Sequence, residues 1–213
     1  MNAATKQQIL SFYAANKAAI DDFAAYMGIP PLWAVAVFQL ESSLNPKAKN
    51  SIGAVGLNQM MPSTLADYNL TPTQYQNFSV AQQLGVMKKF FKPIAGKVKR
   101  AGDLYLYNLY PAAVIQNWPF NYPIGKNGEL AKRYGVSLDK IYDQNAGLDF
   151  NKDGELTRQD VTDLFETRYD EVVSGNFFFP GPSNRLQNKL AGVADSVVSP
   201  YPGYLSGFKN KVA

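Results

Sequence analysis

Residues 31–64 read PLWAVAVFQLESSLNPKAKNSIGAVGLNQMMPST, and this stretch decides the fold class. Pro30-Pro31 opens a helix, because proline is tolerated in a first turn. Apolar residues then cover most faces through Leu40, so the sequence predicts a largely buried helix over about 31–44, closed by Pro46. Residues 45–56 form a loop with Gly53 and Gly56, and another helix starts near Pro62 with Ser63 and Thr64 in its first turn. Glu41 is the sole charged residue between Asp22 and Lys47. A carboxyl group on such a helix loses hydration, which favours its protonated form. That is the state a general acid requires. The bland alternative is a helix-end Glu turned outward into water.

Outward from this stretch the pattern stays helical. Residues 4–26 place Ile9, Phe12, Tyr13, Ile20, Phe23 and Tyr26 near helical spacing, and Gly28 ends the run. Residues 79–92 read as a helix broken by Pro93 and Gly96. Residues 102–117 read as an apolar helix strained or ended at Pro111, and 157–173 as a last clear helix. Residues 118–136 are rich in Pro, Asn, Gly and Tyr. There is no β-hairpin series and no internal repeat, so the class is mainly α. The tail, 174–213, mixes Gly and Pro with Phe177, Phe178, Phe179, Tyr201, Tyr204 and Phe208. So many aromatics argue for a segment that wraps the domain or docks onto a neighbour.

Composition narrows the chemistry. The 213 residues are 46% hydrophobic and 18% charged, enough to bury a core. Cys and His are both absent. Thiolate nucleophiles, Ser-His-Asp triads, zinc ribbons and iron–sulfur sites are therefore excluded. Acid–base work falls to carboxylates, Lys or Tyr, and any metal site must be built from oxygens, which suits calcium or magnesium. The net charge of +4 is uneven. Residues 139–171 hold ten acids and four bases, net −6, whereas 88–100 hold six bases and no acid. The basic run reads first as a solvated face, second as an attraction to an anionic wall polymer; nucleic acid is not required. The start lacks an apolar signal core, so no signal peptide is expected. The run Ile29–Leu40 is too short for membrane insertion.

The segment FQLESSLNPKAKNSIGAVGLNQMMPST (38–64) resembles the lytic transglycosylase family with the goose-type lysozyme-like fold. That family carries a catalytic Glu followed by Ser at a helix end, then a Gly-Leu-Met-Gln-(Ile/Leu)-Met-Pro-Ser-Thr-like segment; here Asn58 replaces the Met. The resemblance implies that Glu41 is the acid/base and that Gln59 lines a sugar site, with Ser42, Ser43, Gly56, Leu57 and Met60 beside it. Gly53 and Gly56 allow close backbone approach or positive φ, and Gln59 offers both donor and acceptor to an N-acetyl group. A third family segment, with Tyr-Asn, is matched in part by Leu104–Ala113, where Tyr107 and Asn108 either contact substrate or belong to the core. Phe91-Lys92-Pro93 and Tyr110-Pro111-Ala112-Ala113 look closer to a phage-associated branch. The implied reaction breaks the β-1,4 bond of peptidoglycan glycan strands and closes N-acetylmuramic acid on its own 6-hydroxyl. A hydrolytic muramidase stays open if Asp67 or Asp103 folds opposite Glu41, as does a non-catalytic structural module of a phage particle.

Residues 149–160, DFNKDGELTRQD, resemble an EF-hand loop. Asp149, Asn151 and Asp153 take positions 1, 3 and 5, Gly154 the sharp turn, Glu155 the backbone carbonyl at 7, and Asp160 position 12, as in the dockerin-like variant. One structural calcium is implied; the alternative is a turn held by its own Asx hydrogen bonds. The expected whole is a lysozyme-like single domain over 1–173 with an inserted or appended calcium loop, and an irregular C-terminal tail over 174–213 packed on the domain or on phage structural proteins. A virion component acting in the bacterial cell wall or periplasm is the expected setting.

Overall fold

The computed structural model describes residues 3–125, 142–143 and 145–174. These fall into two compact units: residues 3–99 with 169–174, and residues 100–168 as far as described. The mainly helical class is as expected. The tail lies outside the described residues except for Ser174.

The first unit is built from α1 (Ala3–Ala15), α2 (Lys17–Met27), α3 (Pro31–Ser42), α4 (Pro62–Ala66), α5 (Pro72–Gln76) and α6 (Val80–Phe91), which runs on into a single 3-10 turn, Lys92–Ile94. The single helix expected over 4–26 is in fact two. The Asn16 carboxamide donates to Phe12 O at 2.9 Å, competing with the helical ladder as short polar side chains do, and Asn16 leaves helical geometry (φ −123, ψ 19). Gly28 ends α2 in the left-handed region (φ 71), and α3 departs at 107°. No single helix among the described residues is long and apolar enough to cross a membrane.

α3 is the central element of this unit. Ala34 to Phe38 are buried without interruption, so every face of those turns meets protein. Phe23 of α2 joins α3 and α6, with its ring 6.4 Å from Phe38 and 6.1 Å from Phe91. Each such ring contributes about 1.5–3 kcal/mol on burial. α6 starts in a reciprocal capping box, Ser79 with Gln82, which satisfies two otherwise orphaned donors. α5, a short helix not anticipated from the sequence, starts in a similar box made by Thr71 and Gln74. It carries Tyr75, fully buried and edge-on to Phe78 at 6.2 Å. Burial pushes the Tyr75 phenol up, and its hydroxyl has no hydrogen-bond partner among the described residues.

The second unit holds α7 (Ala101–Leu109), α8 (Pro111–Ile115), β1 (Pro123–Gly125), a 3-10 turn at Ala146–Leu148, β2 (Leu156–Thr157) and the start of α9 (Arg158–Val173). Pro111 divides the apolar run as its missing N–H requires, with Tyr110 at φ −139, ψ 72. β1 and β2 pair antiparallel, Pro123 with Thr157 and Gly125 with Leu156, a pairing the sequence did not disclose. α9 is broken at Tyr169 (φ −120, ψ 24). α7 and α9 approach closely: a Cβ on Gly102 would lie 2.6 Å from Thr162 Cα.

The core of this unit contains an ion pair. Asp103 is 0% and Arg158 1% exposed. Arg158 Nε and Nη2 donate to Asp103 Oδ1 at 2.9 and 2.8 Å. Arg158 Nη1 donates to Trp118 O at 2.6 Å, and the guanidinium lies 4.4 Å from the Phe120 ring centroid. A buried pair adds little net stability against an apolar substitute, but removing one partner strands the other charge. Asp103→Leu should therefore cost about 3–5 kcal/mol in urea unfolding; a loss below about 1 kcal/mol would show that Arg158 finds water instead. Tyr75→Phe should leave the unfolding midpoint unchanged or raise it, because an unsatisfied buried hydroxyl costs about 1–3 kcal/mol. A lowered midpoint would show that this hydroxyl is bonded in solution.

Candidate active site

Glu41 occupies the last turn of α3, where Gln39, Leu40 and Glu41 are half-buried after five buried residues. Glu41 takes part in at least one interaction with the rest of the protein. Ser42 is buried and its Oγ donates back to Phe38 O at 3.0 Å. The helix then stops abruptly. Ser43 (φ 53) and Leu44 (φ 64) are both left-handed, and their N–H groups close on Gln39 O and Phe38 O at 3.1 and 3.2 Å. Two successive non-glycine residues in this region cost about 1–2 kcal/mol each. Such strain persists only where surrounding structure enforces it.

The loop that follows is tied by asparagines. Asn45 Oδ1 accepts from Lys47 N at 2.9 Å. Asn50 Oδ1 accepts from Ile52 N and Ala54 N at 3.1 and 2.9 Å. Val55 and Met60 then exchange both backbone hydrogen bonds, at 3.0 and 2.9 Å, closing a four-residue turn over Gly56-Leu57-Asn58-Gln59. Gly56 (φ 80) has no room for a side chain: a Cβ would lie 2.4 Å from Tyr75 Cε1 and 2.8 Å from Gln83 Oε1. Its role in the fold is thus to admit the Tyr75 ring. Gln59 adopts φ 46, and its Nε2 donates to Gly56 O at 3.0 Å.

Within the first unit the structure gathers Glu41, Ser42, Ser43, Gly56, Leu57, Gln59 and Met60 onto the end of α3 and the loop after it. Leu57 and Met60 are 0% and 3% exposed and pack this loop from within; Ser43 is exposed and Gln59 half-buried. Tyr107 and Asn108 sit on α7 in the second unit, the first buried and the second half-buried. Of the two acids considered as a second carboxylate, Asp67 is exposed at the end of α4. Asp103 is consumed: Arg158 takes Oδ1 and Arg100 N donates to Oδ2 at 3.2 Å. The basic run 88–100 is largely engaged as well. Lys88 pairs with Asp22 at 2.6 Å, Lys97 donates to Pro93 O, and Arg100 binds Asp163 and Glu166.

Sequence reasoning missed Gln83. It is 0% exposed on α6 and bonds three segments: Oε1 accepts from Leu57 N at 3.0 Å, and Nε2 donates to Pro46 O at 2.7 Å and Tyr75 O at 3.1 Å. The available signal was position. Gln83 shares the helical stripe of Met87, Phe90 and Phe91, and a polar residue on an apolar stripe must find partners.

In the 149–160 segment Gly154 takes φ 85, and Leu156 is fully buried in β2. Asp149 Oδ1 accepts from Lys152 N at 2.7 Å; its Oδ2 accepts from Gly154 N and Tyr142 Oη at 3.0 and 2.6 Å. These bonds, Tyr142 foremost, hold the Asp149 carboxyl below the ordinary carboxylate range. Asn151 Oδ1 accepts from Asp153 N, and Asp153 Oδ1 from Glu155 N, both at 2.9 Å. Asp160 forms a capping box with Thr157, accepting from Thr157 N at 2.9 Å and donating its own N–H to Thr157 Oγ1. Among the described residues no three acidic side chains are drawn together closely enough to grip a metal. The side-chain oxygens here are of the type calcium takes, while the turn is closed by its own Asx bonds.

A half-buried Glu at the end of a buried helix, beside a loop presenting a carboxamide, can donate a proton to a neutral leaving oxygen and bind an amide-bearing ring. Residues 19–110 match the family model described as Transglycosylase SLT domain, a span that includes Glu41, Gly56, Gln59, Tyr107 and Asn108 but not the 149–160 loop. The match is to the lytic transglycosylase domain, the domain that cleaves glycosidic bonds of peptidoglycan.

Proposed function

We propose that Glu41 is the single acid/base of this domain and that the product is a 1,6-anhydro sugar. Protonated Glu41 donates to the glycosidic oxygen as the bond from C1 of N-acetylmuramic acid to that oxygen breaks. The resulting carboxylate then takes the proton of the 6-hydroxyl of the same sugar while O6 bonds to C1. Glu41 ends protonated, and no water is consumed. The observation that carries this reading is the placement of Glu41, half-buried, in the last turn of a helix whose middle, Ala34 to Phe38, is buried on every face. Gln59 supports it, since its carboxamide oxygen is not used in the bond to Gly56 and suits the N–H of an N-acetyl group. Hydrolysis by a second carboxylate is the weaker reading, because Asp103 is locked to Arg158. The phage-like third segment favours a virion setting, with the tail as the contact to particle proteins.

Calcium is proposed for the second unit. Asp149, Asn151, Asp153, the Glu155 carbonyl and Asp160 would hold it, and it would supply charge neutralisation to a strongly acidic segment. The sharp turn at Gly154, closed onto Asp149, supports this assignment.

Glu41→Gln should lower the rate of turbidity loss of purified sacculi by about 10²–10⁴-fold, the usual contribution of a general acid–base group, with the melting temperature nearly unchanged. Retained activity would remove Glu41 from the chemistry. EDTA should lower the melting temperature and added calcium restore it, through mass action on the folded state. If neither shifts the curve, the 149–160 loop is an Asx-closed turn with no metal role.

A further inference from the structure

Gln83 is a costly residue to bury. An unbonded amide in a core loses about 1–3 kcal/mol, and an apolar side chain of similar shape would fill the same space without that liability. The amide supplies something an apolar group cannot. Its acceptor meets Leu57 N–H inside the four-residue turn, a donor that the Val55–Met60 ladder leaves unpaired. Its donor meets Pro46 O, in the chain leaving the Glu41 helix, and Tyr75 O on α5. One planar group therefore fixes the Gln59 turn against the segment that follows Glu41. The Tyr75 ring and the Gln83 amide both crowd the point where a Gly56 side chain would begin.

We infer that Gln83 is a positioning residue for glycosidic cleavage: it holds the Gly56–Gln59 turn in register with the end of α3, so that Gln59 meets the sugar at a fixed displacement from Glu41. This rests on the assignment of Glu41 and Gln59 given above. All the residues concerned lie in the first unit, and Gln83 itself contacts no substrate.

The test uses the full chain with soluble, uncrosslinked glycan strands as substrate. Gln83→Met keeps the volume and removes both hydrogen-bonding functions. It should lower kcat/KM at least tenfold, mainly through KM, at temperatures where circular dichroism shows the variant folded. Gln83→Glu separates positioning from packing. Its neutral carboxyl, present at low pH, still accepts from Leu57 N–H and donates one bond. Its anion, present at high pH, faces the Pro46 and Tyr75 carbonyls. The activity ratio of Gln83→Glu to the unsubstituted protein should therefore rise as pH falls and collapse as pH rises. A flat ratio, or unchanged kcat and KM in folded Gln83→Met, would overturn the inference. Should Gln83→Met not fold, the pH ratio decides alone. Glu41→Gln, assayed in parallel, distinguishes the failures. If Glu41→Gln stays active, the functional assignment falls. If it is inactive and both Gln83 variants are normal, the positioning role alone falls.

Discussion

The absence of a side chain at Gly56 is the constraint on which the rest of the candidate site depends. The Tyr75 ring and the Gln83 amide both occupy space that any Cβ would claim, and the residue's φ of 80 is one that L side chains rarely adopt. With Gly56 in place, Val55 and Met60 can close their pair, Leu57 can turn its N–H inward, and Gln59 can stand half-exposed with its amide tied to Gly56 O. The same contact draws α5 and α6 onto the loop that leaves Glu41. The geometry of the candidate site is thus set by close packing around one glycine and one buried amide. Charge plays a smaller part, since its ion pairs, such as Lys6–Glu171 and Lys88–Asp22, are partly or largely exposed and such pairs contribute little.

The second unit uses a different device. Its interior holds a desolvated carboxylate and guanidinium whose remaining donors and acceptors are taken by Arg100 N, Trp118 O, Asn117 and the Phe120 ring. A buried pair of this kind ties α7 to α9 while adding little net stability. Gly102 lets the two helices approach to contact distance at the same point. Arg158 directly follows Thr157 of β2, so the turn at 149–160, the short β pairing and the α7 contact form one continuous assembly.

Much of the helical framework was legible in the sequence because the signals were local. Gly28 as a stop, Pro31 and Pro62 as helix openers, and the Pro111 boundary all act within a few residues of themselves. Glu41 stood out by charge isolation, and the Gly56–Gln59 motif by its spacing after it. What escaped depended on partners distant in the chain or on competition between side chain and backbone. The split at Asn16 turns on one carboxamide bonding Phe12 O. The β1–β2 pair joins short segments more than 30 residues apart. Gln83 and Arg158 looked like ordinary polar helix positions, and their roles appear only when Leu57, Pro46 and Tyr75, or Asp103 and Trp118, are brought to them. Leu57 and Met60 lie inside the loop because the turn is closed from beneath by α6, which no local pattern conveys.

The central claim is that one carboxyl group, unaided by a second, carries both proton transfers. Mass spectrometry of the fragments released from purified sacculi in heavy-oxygen water measures this most directly. The account predicts 1,6-anhydro ends with no heavy oxygen incorporated, since the attacking oxygen comes from the sugar itself. Reducing ends carrying heavy oxygen would contradict it, and would require a water-activating carboxylate acting with Glu41.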